Sequence, residues 1–100
     1  RAAKADAMSP AVLRLIAHTV EGASAEGKWV GICGGLASDP QAMPILVGLG
    51  VRELSCSVPA IPAVKAEVRA RSFAQCQELA QQALEQDTAA AVRALVPLDY

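Results

Sequence analysis

The stretch Trp29-Val30-Gly31-Ile32-Cys33-Gly34-Gly35-Leu36-Ala37-Ser38-Asp39-Pro40 decides how the rest of the chain is read. Its first five residues are apolar or small, with Gly27 before them and Gly34-Gly35 after them, which predicts a short buried strand over 29–33. Asp39-Pro40 then reads as a helix start. The aspartate oxygen can accept a free backbone amide, and proline at the first helical position has no N–H to lose. A helix is expected from there through about Leu49, closed by Gly48 and Gly50, and Val51 to Ser57 predicts a second short strand.

Working outward, Ser9-Pro10 repeats the start signal, and Val12, Leu13, Ile16, Ala17 and Val20 recur at helical spacing. A helix over 10–26 is expected, stopped by Gly27, with Arg14, His18 and Glu21 on its water-facing side. Toward the other end, Pro59 and Pro62 introduce a helix through about Ala70. Ser72 caps another, with Phe73, Cys76, Ala80, Ala83 and Leu84 on one face, and a last short helix follows Thr88. Residues 1–8 read as a loose lead-in, 9–70 as βα units and 71–100 as terminal helices.

Helix, strand, helix, strand is the order of parallel βαβ units. Two parallel strands cannot cover both faces and both edges of a sheet, so the sequence reads as α/β and as a segment of a larger parallel sheet or barrel. A first residue of Arg1 instead of Met agrees with an excised piece.

Composition narrows the function classes. Of the 100 residues 53% are hydrophobic, 21 are alanine and three are aromatic, which favours closely packed helices with missing neighbours over a stacking platform for bases. The formal net charge is -1 without a charged block, so neither nucleic acid nor an anionic membrane is an expected partner. No apolar run approaches a membrane span. The three cysteines, Cys33, Cys56 and Cys76, are odd in number and lack Cys-x-x-Cys spacing. That pattern argues against a disulfide framework or a zinc site and predicts a reducing cytoplasm.

Cys33 is the candidate for chemistry, because ligands in α/β folds bind beyond the carboxyl ends of the strands and the adjoining glycines permit close approach. A buried small hydrophobe at a strand end is the competing reading. The lone His18 lies on an outer helix, and no lysine or arginine separates Trp29 from Arg52, so nothing nearby would activate a nucleophilic thiolate. An isolated thiol titrates near about 8.5, and in that setting it suits proton donation better than attack. Cys56 and Cys76 are expected in the core. Gly31-x-x-Gly34-Gly35 has the wrong spacing for a dinucleotide fingerprint. Asp6, Asp39 and Glu53 form no ligand cluster, so no metal site is expected within the chain.

The string SPAVLRLIAHTVEGASAEGKWVGICGGLASDPQAMPILVGLGVRELSCSVPAIPAVKAEVRA resembles the carboxyl-terminal part of enzyme I of the bacterial phosphoenolpyruvate:sugar phosphotransferase system. The elements that carry the resemblance are Met8-Ser9-Pro10, Gly27-Lys28-Trp29, Cys33-Gly34, Leu46 to Gly50, Glu53-Leu54-Ser55 and Ile61-Pro62. It implies the last two strands, with flanking helices, of a phosphoenolpyruvate-binding (β/α)8 TIM barrel. It further implies that Cys33 protonates the enolate as pyruvate forms, with Gly34 and Gly35 forming the substrate-proximal turn. The phosphoryl group would pass to a histidine elsewhere in the parent and then to the carrier HPr for sugar uptake. Mg2+ would be held by residues upstream, and the parent would be a cytoplasmic homodimer. The usual family pattern is Cys-Gly-Glu; Cys33-Gly34-Gly35 is similar to the fructose-type branch, in which enzyme I is fused to HPr, and it lacks that carboxylate.

Two other readings stand beside this one: the end of a pyruvate phosphate dikinase or phosphoenolpyruvate synthase barrel, and an inactive dimerisation or structural module. The chain alone is expected to turn over no phosphoenolpyruvate. A thiol-redox role for Cys33 is disfavoured by the absence of nearby cations.

Overall fold

A computed structural model describes residues 6–97. Helix α1 spans Pro10–Ala25, followed by strand β1 (Gly31–Cys33), a 3-10 turn (Leu36–Ser38), helix α2 (Ala42–Leu49) and strand β2 (Glu53–Ser55). A second 3-10 turn (Val58–Ala60) leads into α3 (Ile61–Ala70), and then come α4 (Phe73–Leu84) and α5 (Ala89–Ala94). The chain is an α/β fold in which helices pack against one face of a two-stranded parallel sheet.

The caps expected at Ser9, Ser72 and Thr88 form, whereas the one expected at Asp39 does not, since α2 begins at Ala42 with Gln41 before it and no side-chain cap. Ser9 Oγ accepts the Val12 amide at 3.4 Å with Pro10 in the first turn. Ser72 and Gln75 exchange bonds reciprocally in a capping box, and Thr88 Oγ1 accepts the Ala91 amide at 3.1 Å. These local bonds satisfy amides that would otherwise have no partner in the first helical turn.

The core joins the helices to the underside of the sheet. Leu13 of α1, Ala42, Ile45 and Leu46 of α2, Val51, Ala83 of α4, Val92 of α5 and Val96 form one buried cluster, with Ile32 of β1 and Leu54 of β2 packed against it. The α2–α4 contact is the most extensive between elements among the described residues. A Cβ at Gly48 would stand 2.0 Å from the carbonyl oxygen of Cys76 and 2.9 Å from Ala80 Cβ. Gly48 therefore lies inside the helix as a packing surface, and Gly50, with φ 103°, is the residue that ends it.

Several expectations are corrected. Each strand is three residues long, against the five and seven expected over 29–33 and 51–57. Neither strand is buried: Gly31, Cys33, Glu53 and Ser55 are exposed, and Trp29 is 60% exposed. An apolar run measures how much cover a strand could accept, and here only one face of the sheet has cover. Helix α2 begins at Ala42, because the 3-10 turn and the Asp39 turn occupy the residues after Gly35. Phe73 is 57% exposed, since the first residue of α4 projects beyond the α2–α4 contact, whereas Cys76, Ala80 and Ala83 on that face are buried as expected. Cys56 lies past the end of β2 and is only half-buried. The looseness expected of residues 1–8 does not extend to Met8, which is fully buried in the core cluster, or to Asp6, which is ion-paired; residues 1–5 lie outside the described residues.

Candidate functional site at the carboxyl end of the sheet

The two strands pair in parallel with Gly31 opposite Glu53, Ile32 opposite Leu54 and Cys33 opposite Ser55. Alternation along a strand then divides the sheet into two faces. Ile32 and Leu54 face the helices, while Gly31, Cys33, Glu53 and Ser55 share the open face. Cys33 is the last residue of β1, and its thiol is free and exposed. Within this chain Cys33 is therefore not the buried strand-end hydrophobe of the competing reading.

The turn after Cys33 depends on two unlike glycines. Gly34 has φ +86°, a left-handed conformation in which an L side chain is strained. Gly35 has φ -60° and ψ -40°, ordinary right-handed values, and an added Cβ would meet nothing within 4 Å. The position thus accepts a Cβ without any change of backbone.

Beyond the turn the loop is fixed from two sides. Ser38 Oγ accepts the Ser57 amide at 2.9 Å, which ties the loop after β1 to the loop after β2. Asp39 Oδ1 accepts the Gln41 amide at 3.0 Å, and Asp39 Oδ2 meets the Arg93 guanidinium at 2.8 Å. Arg93 also pairs with both oxygens of Asp6, at 2.7 and 2.9 Å. Beside Arg93 the Asp6 carboxyl is pulled down to about 2, helped by the Met8 amide that it accepts, and the carboxylates push the guanidinium above its ordinary value. Burial raises the Cys76 thiol, which removes it further from reactivity.

His18 is exposed on α1, as expected, and takes no part in this region. Among the described residues no group of three His, Cys, Asp or Glu side chains could hold a metal ion, so the implied Mg2+ has no fitting site there. Nor, among them, is any helix long and apolar enough to cross a membrane. A cavity of about 400 Å³ lined by Arg71, Gln75, Glu78 and Gln82 lies at the α3–α4 junction, on other elements than Cys33. Arg93 and Gln41 escaped the sequence reading because their partners lie far away along the chain.

With this geometry in place, comparison with known proteins defines the class. The family model described as PEP-utilising enzyme, PEP-binding domain matches residues 1–73, and the chain belongs to this family. Over 94 residues, 94% of the chain, it is 54% identical to a multiphosphoryl transfer protein of Xanthomonas campestris pv. campestris. It is 45% identical over 89 residues to multiphosphoryl transfer protein 1 of Escherichia coli K12. It is also 46% identical over 94 residues to a phosphoenolpyruvate-protein phosphotransferase of Haloferax volcanii. The chain spans 11% of the length of each of the first two relatives and 17% of the third.

Proposed function

We propose that the chain is the acid-bearing end of a phosphoenolpyruvate-binding (β/α)8 barrel in a parent phosphoenolpyruvate-protein phosphotransferase of the fructose type, which passes its phosphoryl group by way of a histidine to HPr. The observation that carries this reading is the exposed Cys33 thiol, at the carboxyl end of a parallel strand and on the face that none of the described helices covers. In a barrel that face turns inward, and the carboxyl ends of the strands form the rim where catalytic residues gather. The names of the relatives support the transferred group and its source.

Phosphoryl transfer to histidine breaks the bond between phosphorus and the enol oxygen and leaves enolpyruvate as its enolate. The Cys33 S–H then donates its proton to C3, the carbon–carbon π pair forms the new C–H bond, and the oxygen becomes the carbonyl of pyruvate. The thiolate left behind recovers a proton from water. Gly34 brings the backbone close to that carbon, and Ser55 stands beside Cys33 on the neighbouring strand. Mg2+, when bound, would balance phosphate charge from residues of the parent other than these. Homodimerisation and a cytoplasmic location belong to the same reading of the parent.

Cys33→Ala in the intact parent tests it. Loss of a positioned general acid is expected to slow pyruvate formation by about 10²-fold or more, with phosphoenolpyruvate binding retained. Near-normal turnover would overturn the assignment.

A further inference from the structure

A proton donor works only where it is held, and the loop of residues 34–41 that follows Cys33 is held by the far end of the chain. Gln41 occupies its whole side-chain amide in that task. Its Oε1 accepts from Arg93 Nη1 at 2.8 Å, and its Nε2 donates to the carbonyls of Arg93 at 3.1 Å and Val96 at 2.9 Å, in the last turn of α5 and just past it. Asp39, two residues earlier, takes a second arm of the same guanidinium at 2.8 Å. A third arm reaches back to Asp6.

Anchoring α5 does not need this arrangement, because Val92 and Val96 are already fully buried in the core. What a planar guanidinium and a saturated amide add is direction, since both fix angles as well as distances. The direction is imposed on the loop that carries Gly34 and the end of β1, and Ser38 fixes the opposite side of the same loop through the Ser57 amide. We propose that Arg93 and Gln41 are positioning residues for the reaction: together with Asp39 they set where the Cys33 thiol stands relative to C3 of the bound enolate. This rests on the role proposed for Cys33.

The test uses the intact parent, with kcat and KM for phosphoenolpyruvate and, by NMR in D2O, the rate at which the C3 hydrogens of pyruvate exchange for deuterium. The exchange reports proton transfer at C3 directly. Gln41→Ala keeps both carboxylate pairs of Arg93, so it carries the test even if Arg93→Ala fails to fold. A displacement of about 1 Å costs on the order of 10²-fold in rate, so Gln41→Ala is expected to lower kcat and exchange together by about tenfold or more, with KM within about twofold. Asp6→Asn leaves both loop-side contacts in place and is expected to keep kcat within about twofold while lowering the melting temperature. Wild-type kcat and exchange in Gln41→Ala would overturn the inference, as would an equal loss of kcat in Asp6→Asn, the mark of a purely structural hub. Cys33→Ala separates the two levels. If it abolishes exchange while Gln41→Ala does not, only the positioning role falls; if Cys33→Ala still exchanges, the acid role falls and the positioning role with it.

Discussion

The α2–α4 crossing and the open face of the sheet are opposite solutions within one small chain. At the crossing, a backbone carbonyl lies where a Gly48 side chain would be, and Cys76, Ala80 and Ala83 are small and buried. On the sheet, Gly31, Cys33, Glu53 and Ser55 stand in the open, one of them a free thiol. Residues at the crossing are small because neighbours leave no room; on the open face only Gly31 is crowded, by Glu53 beside it at 3.3 Å from an added Cβ, and no described helix lies across the others. The difference teaches that a missing side chain can serve packing in one place and access in another, and that only the surroundings tell which.

Breaking the crossing should have the largest effect on stability. Gly48→Val would drive a Cβ and two methyl groups into the Cys76 carbonyl and Ala80, and overpacking of this severity costs about 3 kcal/mol or more. At about 4–8 °C per kcal/mol for a domain of this size, a thermal melt should fall by about 12 °C or more. A melt within a few degrees of wild type would mean that α2 and α4 can separate freely.

The two glycines of the turn sharpen the other side of the comparison. Gly34→Ala places a Cβ at φ +86° and should cost about 1–2 kcal/mol, whereas Gly35→Ala should stay within about 0.5 kcal/mol. Denaturant midpoints of the pair would reveal the asymmetry, and equal losses would contradict the assigned turn.

The smallest effect concerns acid. Because the Asp6 carboxyl lies below its unfolded value of 3.8, at about 2, its pairing with Arg93 stabilises the fold above pH 3.8 and is lost as pH falls toward 2. In Asp6→Asn that component should vanish, leaving a shallower fall in melting temperature between pH 4 and 2. An unchanged slope would show that other carboxylates control the acid limb.

Much of the fold was legible because its signals are local. Ser9-Pro10, Ser72 and Thr88 cap the helices that they announce, and Gly27 and Gly50 stand at helix ends. The strands were legible in place and order but not in length or burial, since strand extent depends on a partner and burial on a layer lying across the sheet. Phe73 misled for a related reason: helical periodicity assigns a face, but not how far along that face the neighbouring helix reaches. At the candidate site, Cys33 and its glycines were readable from a strand end and a turn. Arg93 was not, because Asp6 lies 87 residues away and Gln41 52 residues away, and no periodicity links such distances.

The span between Asp6 and Arg93 also bears on the order of folding. Closing a loop of that length costs about 4 kcal/mol in chain entropy, while a partly exposed ion pair returns on the order of 1 kcal/mol. The pair therefore cannot bring its ends together; burial of Met8, Val92 and Val96 must do so first. The Arg93 hub therefore forms with or after that burial, and the loop behind Cys33 is tied to the far end of the chain only once the hub is in place. Hydrogen exchange at the amides of α5 would time that closure.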